Sequence, residues 1–436
     1  MSRVVVIGSG ASAVHCALSA LEGGAAVTMV DVGYPPPTPQ LPRASFEQLK
    51  DTLEDPVDYF LGSGGRGVVY PGGASSYYGH PPTKDYVFAV PRGFQPTLER
   101  IWPAFSFARG GLAGAWTAGA YQWTPADLAQ FPFSYDALEP FYRMVTRRIG
   151  VTGAADDLDP YLPVGADHLP PLPLDSHSAY LLERYHASRS RLQHDGFIMG
   201  RSRVATLSQQ LGSRQPCQQL GRCLWGCPTW SLYHPAVTLD ECRLSELFDY
   251  RPGLYVTHLE YDPDGTVRRA VASDLANDTT LRIEGDRFVL AAGGLNSTKI
   301  YLESWYRATG DQLTLTGLMD NRQIHVPFLS PKMIGQPVDQ SSYQFHHLAF
   351  ALPGSAAGEH IHGQITTLKA AAIHPILGGI PVALGMALQL FQTVRAGLGV
   401  ANVNLPDERR PQSRVTLEPG AGPTGGSGLV PASAEP

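Results

Sequence analysis

The first 31 residues combine two short apolar runs with one helical pattern. Residues 4–7 are β-branched and uncharged, which predicts a strand buried on both faces, as in a parallel sheet. Residues 26–30 predict a second strand of the same kind. Between them, apolar side chains recur at the spacing of one helical face, at Val14, Ala17, Leu18 and Leu21. The chain therefore opens with a predicted strand, helix and strand.

The turn between the first strand and the helix has the spacing of a dinucleotide-binding fingerprint. Gly8 permits a tight turn, Gly10 lets the backbone approach a pyrophosphate, and Ala13 is small enough for helix and strand to pack closely. The phosphates would meet free N–H groups at the helix N-terminus, near Ser12. Asp31 follows Gly10 by 21 residues, the position of an acidic residue that binds a ribose hydroxyl. This indicates FAD or NAD rather than NADP, and it disfavours a glycine turn without a ligand.

Later segments add further predicted elements. Small residues at 70–80 would let the main chain lie against a planar or charged ligand, although any glycine-serine loop has this composition. A three-stranded meander is predicted at 254–261, 266–273 and 279–283. Another buried strand at 288–292 ends in two glycines, and a helix is predicted to begin near 296–298.

In this order, the segments resemble the glucose-methanol-choline (GMC) family of FAD-dependent oxidoreductases. The likeness spans about residues 3–418, and the stretch 127–142 is similar to bacterial members acting on sugars and other polyols. Residues 72–79 resemble the flavin loop of the family, and 290–297 resemble its second signature. The cofactor contacts implied by the resemblance and the fingerprint are Gly8, Gly10, Ser12, Ala13, Asp31, Gly72, Gly73, Ser75, Ser76, Val256, Ala292 and Gly293.

The resemblance implies an α/β protein in which a Rossmann-like FAD-binding domain is interleaved with an α+β substrate domain. We expect residues 1–80 and 215–310 to form the FAD region, and 81–214 and 311–418 to form the substrate region. Residues 419–436 are rich in glycine and proline, and we expect them to form a flexible tail.

The implied reaction is hydride transfer from the CH–OH group of an alcohol or sugar to flavin N5. In the family, a histidine near the C-terminus accepts the hydroxyl proton. Residues 405–417 resemble the approach to that segment, but glycine-rich sequence follows, so we assign no catalytic residue. The alternative is a truncated or divergent homologue that binds FAD without oxidising alcohols. A flavin hydroxylase or nicotinamide dehydrogenase is a third possibility, disfavoured by the meander and the second signature.

Three of the five cysteines, Cys217, Cys223 and Cys227, lie within 11 residues. Thiolates this close can hold an iron-sulfur cluster. Some GMC dehydrogenase subunits resemble this stretch and carry such a cluster, whereas other members have cysteines there and no metal. Packed thiols without metal are the favoured interpretation, and the cluster is the alternative. A zinc site would lack a fourth ligand at normal spacing.

Composition and charge restrict the kinds of partner that the protein is expected to bind. Charged residues make up 17% of the chain, against roughly 25% in an average protein, which predicts a large interior. The formal net charge of −6 and the lack of a basic run argue against a nucleic-acid partner. Prolines and glycines interrupt the uncharged stretch 370–394, so a buried or surface-lying helix is favoured over membrane contact. We find no signal-peptide pattern and expect a reducing, cytoplasmic compartment.

Overall fold

The computed structural model describes residues 2–36, 41–62, 80–129, 131–356, 358–368, 381–418 and 428–433. The strands in these ranges are β1 (Arg3–Ile7), β2 (Ala26–Val30), β3 (Ile198–Arg201), β4 (Phe248–Arg251), β5 (Leu254–Tyr261), β6 (Val267–Asp274), β7 (Thr279–Glu284), β8 (Arg287–Leu290), β9 (Leu315–Thr316), β10 (Arg322–Leu329), β11 (Leu348–Pro353), β12 (His360–Thr367), β13 (Leu398–Leu405), β14 (Arg414–Glu418) and β15 (Gly428–Ala432). The α-helices are α1 (Ala11–Glu22), α2 (Phe46–Thr52), α3 (Pro56–Leu61), α4 (Asp85–Phe88), α5 (Tyr135–Ile149), α6 (Ser176–Ala187), α7 (Arg189–His194), α8 (Pro235–Cys242), α9 (Gly294–Thr309) and α10 (Leu384–Val394).

A parallel sheet with the strand order β4-β2-β1-β8 contains the two strands that the sequence predicts near the N-terminus. Its strand β1 is buried on both faces, as its uncharged sequence predicts. Val6 packs with α1 and α8 on one face, whereas Val5 and Ile7 pack with the meander β5-β6-β7 and with Ile300 of α9 on the other. The predicted elements β1, α1, β2 and the meander are confirmed. Helix α9 begins two residues earlier than predicted.

A second sheet is antiparallel and has the strand order β10-β13-β12-β11-β3. One of its faces packs on α6, where Tyr185 contacts a cluster that includes Phe350 and Ile365. Alternate residues of a strand point to opposite faces, so the remaining face belongs to the residues in between. On β11 and β3, this second face carries Ala349, Ala351 and Ile198, which pack with Leu158 and Leu162. On β12 and β13, it carries amide and imidazole side chains.

A third sheet, with the order β15-β14-β9, corrects the predicted flexible tail. Residues 428–432, predicted as part of a flexible tail, form the strand β15, which pairs with β14. Leu429 is 1% exposed and packs with Val415, Leu417 and Leu302 of α9. Its packing partner Leu302 of α9 lies far away in sequence, and the glycine-rich composition near β15 concealed this strand. The remaining predicted tail residues, 419–427 and 434–436, lie outside the described residues.

The described helices also bear on membrane contact. Within the ranges given above, none combines the length and the apolar character that crossing a bilayer requires.

Candidate cofactor-binding site

A cavity of about 590 Å³ lies at the carboxyl ends of β1 and β2, where ligands bind in open α/β sheets. Its walls come from segments far apart in the chain. They are residues 7–12, 30–32, 101, 103–108, 111–113, 254–256, 291–296, 298–300 and 318–320. The structure thus brings the fingerprint turn, the meander and the start of α9 together around one space.

Most of the predicted cofactor contacts line this cavity. They are Gly8, Gly10, Ser12, Asp31, Val256, Ala292 and Gly293. Ala13 is fully buried in the core between helix α1 and the sheet, which fits its predicted packing role. Gly72, Gly73, Ser75 and Ser76 lie outside the described residues. For all of them, a role in cofactor binding stays a prediction.

The fingerprint turn is shaped by close backbone contacts. Gly8 has a φ of 109°, and a Cβ atom at this position would lie 2.4 Å from the carbonyl oxygen of Ala291. By contrast, a Cβ atom at Gly10 would meet no atom within 4 Å. Gly10 is the N-cap of α1 and, having no side chain, offers no side-chain acceptor to the first N–H groups of that helix. These donors and the open space in front of them suit an anionic group.

Asp31 is 9% exposed and is held by two hydroxyl groups. Its carboxylate accepts a hydrogen bond from Ser9 Oγ and another from the hydroxyl of Tyr250, at 3.3 Å. Burial raises the pKa of Asp31 to about 7, although these hydrogen bonds act in the opposite direction. Ser9 Oγ also accepts from the N–H of Gly110 at 3.0 Å, which connects the turn to a loop about 100 residues away.

That loop includes cavity residues that the sequence analysis missed. We expected the flavin loop at 72–79, yet residues 111–113 line the cavity directly opposite the fingerprint. A Cβ atom at Gly111 would lie 3.3 Å from the Cα atom of Gly10, so the two backbones are close neighbours. The sequence signal that could have identified this loop was the pair Gly110-Gly111, followed by Ala113 and Gly114. Residues 70–80 share this small-residue composition, so composition alone could not distinguish the two loops.

Buried polar side chains hold the same loop on the side away from Gly10. Lys84 Nζ donates to the carbonyl oxygen of Gly114 at 2.5 Å, and burial lowers the pKa of Lys84 to about 8. The hydroxyl of Tyr86 lies 3.2 Å from His234 Nε2. Burial lowers the pKa of His234 to about 3, so this imidazole is neutral at physiological pH. Lys84, Tyr86 and His234 therefore hold the loop in place without lining the cavity.

The ionisable side chains in the cavity wall are Asp31, Lys299 and Asp320, as far as the described residues go. Lys299 is 8% exposed, and its Nζ lies 5.6 Å from the centre of the Tyr255 ring. No histidine is among the described residues of the wall. The cavity thus offers a cation and hydrogen-bonding groups, but none of its described residues is the histidine that the family uses as a base.

The three clustered cysteines are free thiols around a second, much smaller cavity of about 20 Å³. Cys227 Sγ lies 3.0 Å from Ser231 Oγ, and burial raises the pKa of Cys217 to about 11. A raised pKa disfavours the thiolate that binds metal. Within the described ranges, no three His, Cys, Asp or Glu side chains are grouped so as to hold a metal ion. The structure therefore gives no support to the iron-sulfur alternative.

Comparisons by sequence find no relative, since no family model and no curated protein matches the chain. Comparison with solved structures finds similar chains. A formate oxidase aligns over 99% of this chain and 77% of its own, with a TM-score of 0.54 and 13% identity. A fungal aryl-alcohol oxidase aligns over 98% of this chain and 78% of its own, with a TM-score of 0.50 and 11% identity. Both are FAD oxidoreductases of the GMC family.

The chain has the GMC oxidoreductase fold. The resemblance inferred from the order of the sequence segments is thereby confirmed at the level of the fold. Within the GMC fold, the cavity described above lies between the ends of the parallel sheet and residues 111–113 of the loop at 110–114. At 11–13% identity, the likeness is carried by architecture rather than by matching side chains.

Proposed function

We propose that this chain is an FAD-dependent oxidoreductase that oxidises the CH–OH group of an alcohol or sugar by hydride transfer to flavin N5. One observation carries the proposal. The fingerprint turn, Asp31, Val256 and the small residues after β8 line a single cavity in a chain with the GMC fold.

The residues of the cavity fit a dinucleotide. The first N–H groups of α1 have no side-chain acceptor at the N-cap and would hold the pyrophosphate, which can approach because Gly10 leaves open space. Asp31 would accept hydrogen bonds from the adenosine ribose, and Val256 would lie against adenine through its backbone. Ala292 and Gly293 leave room for the main chain to approach the cofactor closely.

FAD bound in this cavity would supply the acceptor for the hydride. The chain supplies binding and orientation. Ser9 orients Asp31 and, through Gly110, fixes the loop that faces the fingerprint turn. Lys299 contributes a buried positive charge to the wall, which favours an anionic ligand.

We further propose a Rossmann-like cofactor region at 1–80 and 215–310 and a substrate region at 81–214 and 311–418. One change to this division is supported by the cavity. Residues 101, 103–108 and 111–113 belong by sequence position to the substrate region, yet they form part of the cavity wall. This segment would therefore serve the cofactor.

A second candidate is an FAD-binding protein that does not oxidise alcohols. It is favoured by the described cavity wall, which contains no histidine to accept the hydroxyl proton. The two candidates share the same cofactor site and differ only in turnover.

Anaerobic reduction distinguishes the two candidates. The FAD-loaded protein is mixed with a panel of alcohols and sugars, and the flavin absorbance is followed. Loss of the oxidised flavin bands with one of these substrates supports oxidation of a CH–OH group. Bands that persist with every compound, yet disappear with dithionite, support the second candidate.

A further inference from the structure

Three cysteines share one small cavity outside the cofactor site. Cys217, Cys223 and Cys227 line the cavity of about 20 Å³ described above, and each of them is half-buried. The exposed residue Gln218 belongs to the same wall. A cavity needs about 10–15 Å³ to hold one water molecule. A solute of nearly that size therefore fits beside the thiols, whereas a bulky organic molecule does not.

Two buried hydroxyl groups lie beside the thiol of Cys227. Its Sγ atom is 3.0 Å from Ser231 Oγ and 3.4 Å from Thr229 Oγ1. Ser231 and Thr229 are buried, and both line the cavity. Hydroxyl groups can donate to an oxygen atom that approaches the sulfur. Cys217 and Cys223, by contrast, pack with an apolar cluster.

Positive charges surround Cys227 as well. Arg214 and Arg222 are 4% and 1% exposed, and each lies within electrostatic range of the Cys227 thiol. Lys84 lies within the same range, and Arg222 also lines the cavity. The charges that act on these three cations come from tyrosine and cysteine side chains, and none comes from a described carboxylate. Negative charge that develops in this cavity is therefore stabilised.

The backbone brings Cys217 close to Cys227. The N–H of Gln215 donates to the carbonyl oxygen of Thr229 at 3.3 Å, so the chain returns to its own path between these residues. Cys217 follows Gln215 by two residues, and Cys227 precedes Thr229 by two. In segments that run antiparallel, such offsets place the two cysteines opposite each other. The Cys217 and Cys227 thiols are also within electrostatic range of each other.

We propose that Cys227 and Cys217 form a peroxide-reactive dithiol, in which Cys227 reacts with hydrogen peroxide and Cys217 then closes a disulfide. The small cavity admits this oxidant, and the hydroxyl groups and cations of its wall receive it. The inference does not rest on the proposed function, because no step of it involves a flavin.

In the first step, the sulfur of Cys227 attacks one oxygen of hydrogen peroxide. An S–O bond forms and the O–O bond breaks, so the sulfur is oxidised by two electrons to a sulfenic acid while the peroxide is reduced. The leaving hydroxide takes the thiol proton and departs as water. Arg222 and the hydroxyl of Ser231 stabilise the negative charge that develops on this oxygen.

In the second step, the sulfur of Cys217 attacks the sulfenic sulfur of Cys227. An S–S bond forms and the S–O bond breaks, and the leaving hydroxide takes the Cys217 proton to give a second water molecule. Burial raises the pKa of Cys217 to about 11, so this thiol is protonated at neutral pH and is less suited to attack the peroxide first. Two thiols and one hydrogen peroxide thus give one disulfide and two water molecules.

A count of thiols after peroxide treatment tests the inference on the original chain. The reduced protein, freed of reductant, is treated with a slight excess of hydrogen peroxide, and its thiols are counted after unfolding. We expect the five thiols to fall to three, with a link between Cys217 and Cys227 in the peptide map. Dithiothreitol should restore all five. Five thiols after treatment, thiol loss without this link, or a link between another pair would overturn the inference.

Single substitutions separate the two steps. Cys217→Ser should stop at the sulfenic acid, which dimedone traps on Cys227, and Cys227→Ser should keep its four thiols. Cys16→Ser is the matched control, because Cys16 is also half-buried but belongs to α1. It should lose two thiols and form the same disulfide. Circular dichroism shows which variants are folded, and equal thiol loss in folded Cys227→Ser and Cys16→Ser would contradict the role of Cys227.

The size of the cavity gives a second readout. Relative to the rates measured with free cysteine, the folded chain should favour hydrogen peroxide over cumene hydroperoxide at least about tenfold, because the bulky group does not fit the cavity. The chain unfolded in guanidinium chloride should lose this preference. A folded chain that reacts with the two peroxides in the same ratio as free cysteine would show that the cavity does not receive the oxidant, which overturns the inference.

Discussion

At the scale of single residues, two glycines two positions apart have different roles in the fingerprint turn. A side chain at Gly8 would collide with the backbone at Ala291 and would also require a positive φ. A side chain at Gly10 would collide with none of the described residues, but it would enter the space in front of α1. Gly8 is therefore required by the fold, whereas Gly10 would be required by the proposed ligand.

This difference gives a paired prediction. Gly8→Ala should lower the free energy of unfolding by about 2 kcal/mol or more, from steric overlap and backbone strain. Gly10→Ala should leave the melting temperature nearly unchanged and weaken FAD binding at least tenfold. Calorimetry and a flavin-binding titration measure the two effects. If both variants melted normally and bound FAD normally, the assignment of this turn would be wrong.

Asp31 gives a prediction on affinity. Asp31→Ala removes an acceptor for the ribose hydroxyls and should weaken FAD binding by about 1.5 to 3 kcal/mol, the worth of a hydrogen bond to a charged group. Asp264→Asn, at the exposed turn between β5 and β6, is the control and should bind FAD normally. The dissociation constant from fluorescence quenching of free FAD measures the effect. An unchanged constant in Asp31→Ala would count against the ribose assignment.

The raised pKa of Asp31 gives a prediction on pH. Because this pKa is about 7, the carboxylate that would accept from the ribose is present above pH 7 and is lost as the pH falls through 7. FAD affinity should therefore decrease between pH 8 and pH 6. Asp31→Asn is neutral throughout this range, and its affinity should vary less with pH. Parallel pH profiles for the two proteins would show that another group titrates.

At the scale of elements, buried strands were predictable where the local pattern was strong. β1, β2 and the meander have apolar or alternating runs, which predict buried strands without knowledge of the elements that cover them. β15 has only a short apolar run, and its burial depends on β14 and α9. The loop at 110–114 was missed for a related reason, since its contact with Gly10 is tertiary.

The strand β15 gives a prediction on stability. Leu429→Ala removes a side chain that is 1% exposed and should lower the free energy of unfolding by about 2 to 4 kcal/mol. Leu244→Ala is the matched control, because Leu244 is 86% exposed and should change stability by less than about 0.5 kcal/mol. Chemical denaturation of the two variants measures the difference. Equal stabilities would show that residues 428–432 form no strand in solution.

At the scale of the whole molecule, the order of the segments predicted the fold although sequence identity to the solved oxidases is only 11–13%. The cavity gathers segments from residues 7 to 320, and their convergence follows from strand order rather than from any one motif. The pairing register of β10, β13 and β12 could not be predicted from the sequence, because a single strand does not encode it.

The central claim is that the cavity between the fingerprint turn and the loop at 110–114 binds FAD. The most direct measurement is the absorbance spectrum of the purified chain, before and after incubation with FAD and removal of the unbound cofactor by gel filtration. We predict oxidised flavin bands at about one FAD per chain in the original protein, with much lower occupancy in Asp31→Ala. A folded chain that stays colourless after incubation with excess FAD would contradict the claim.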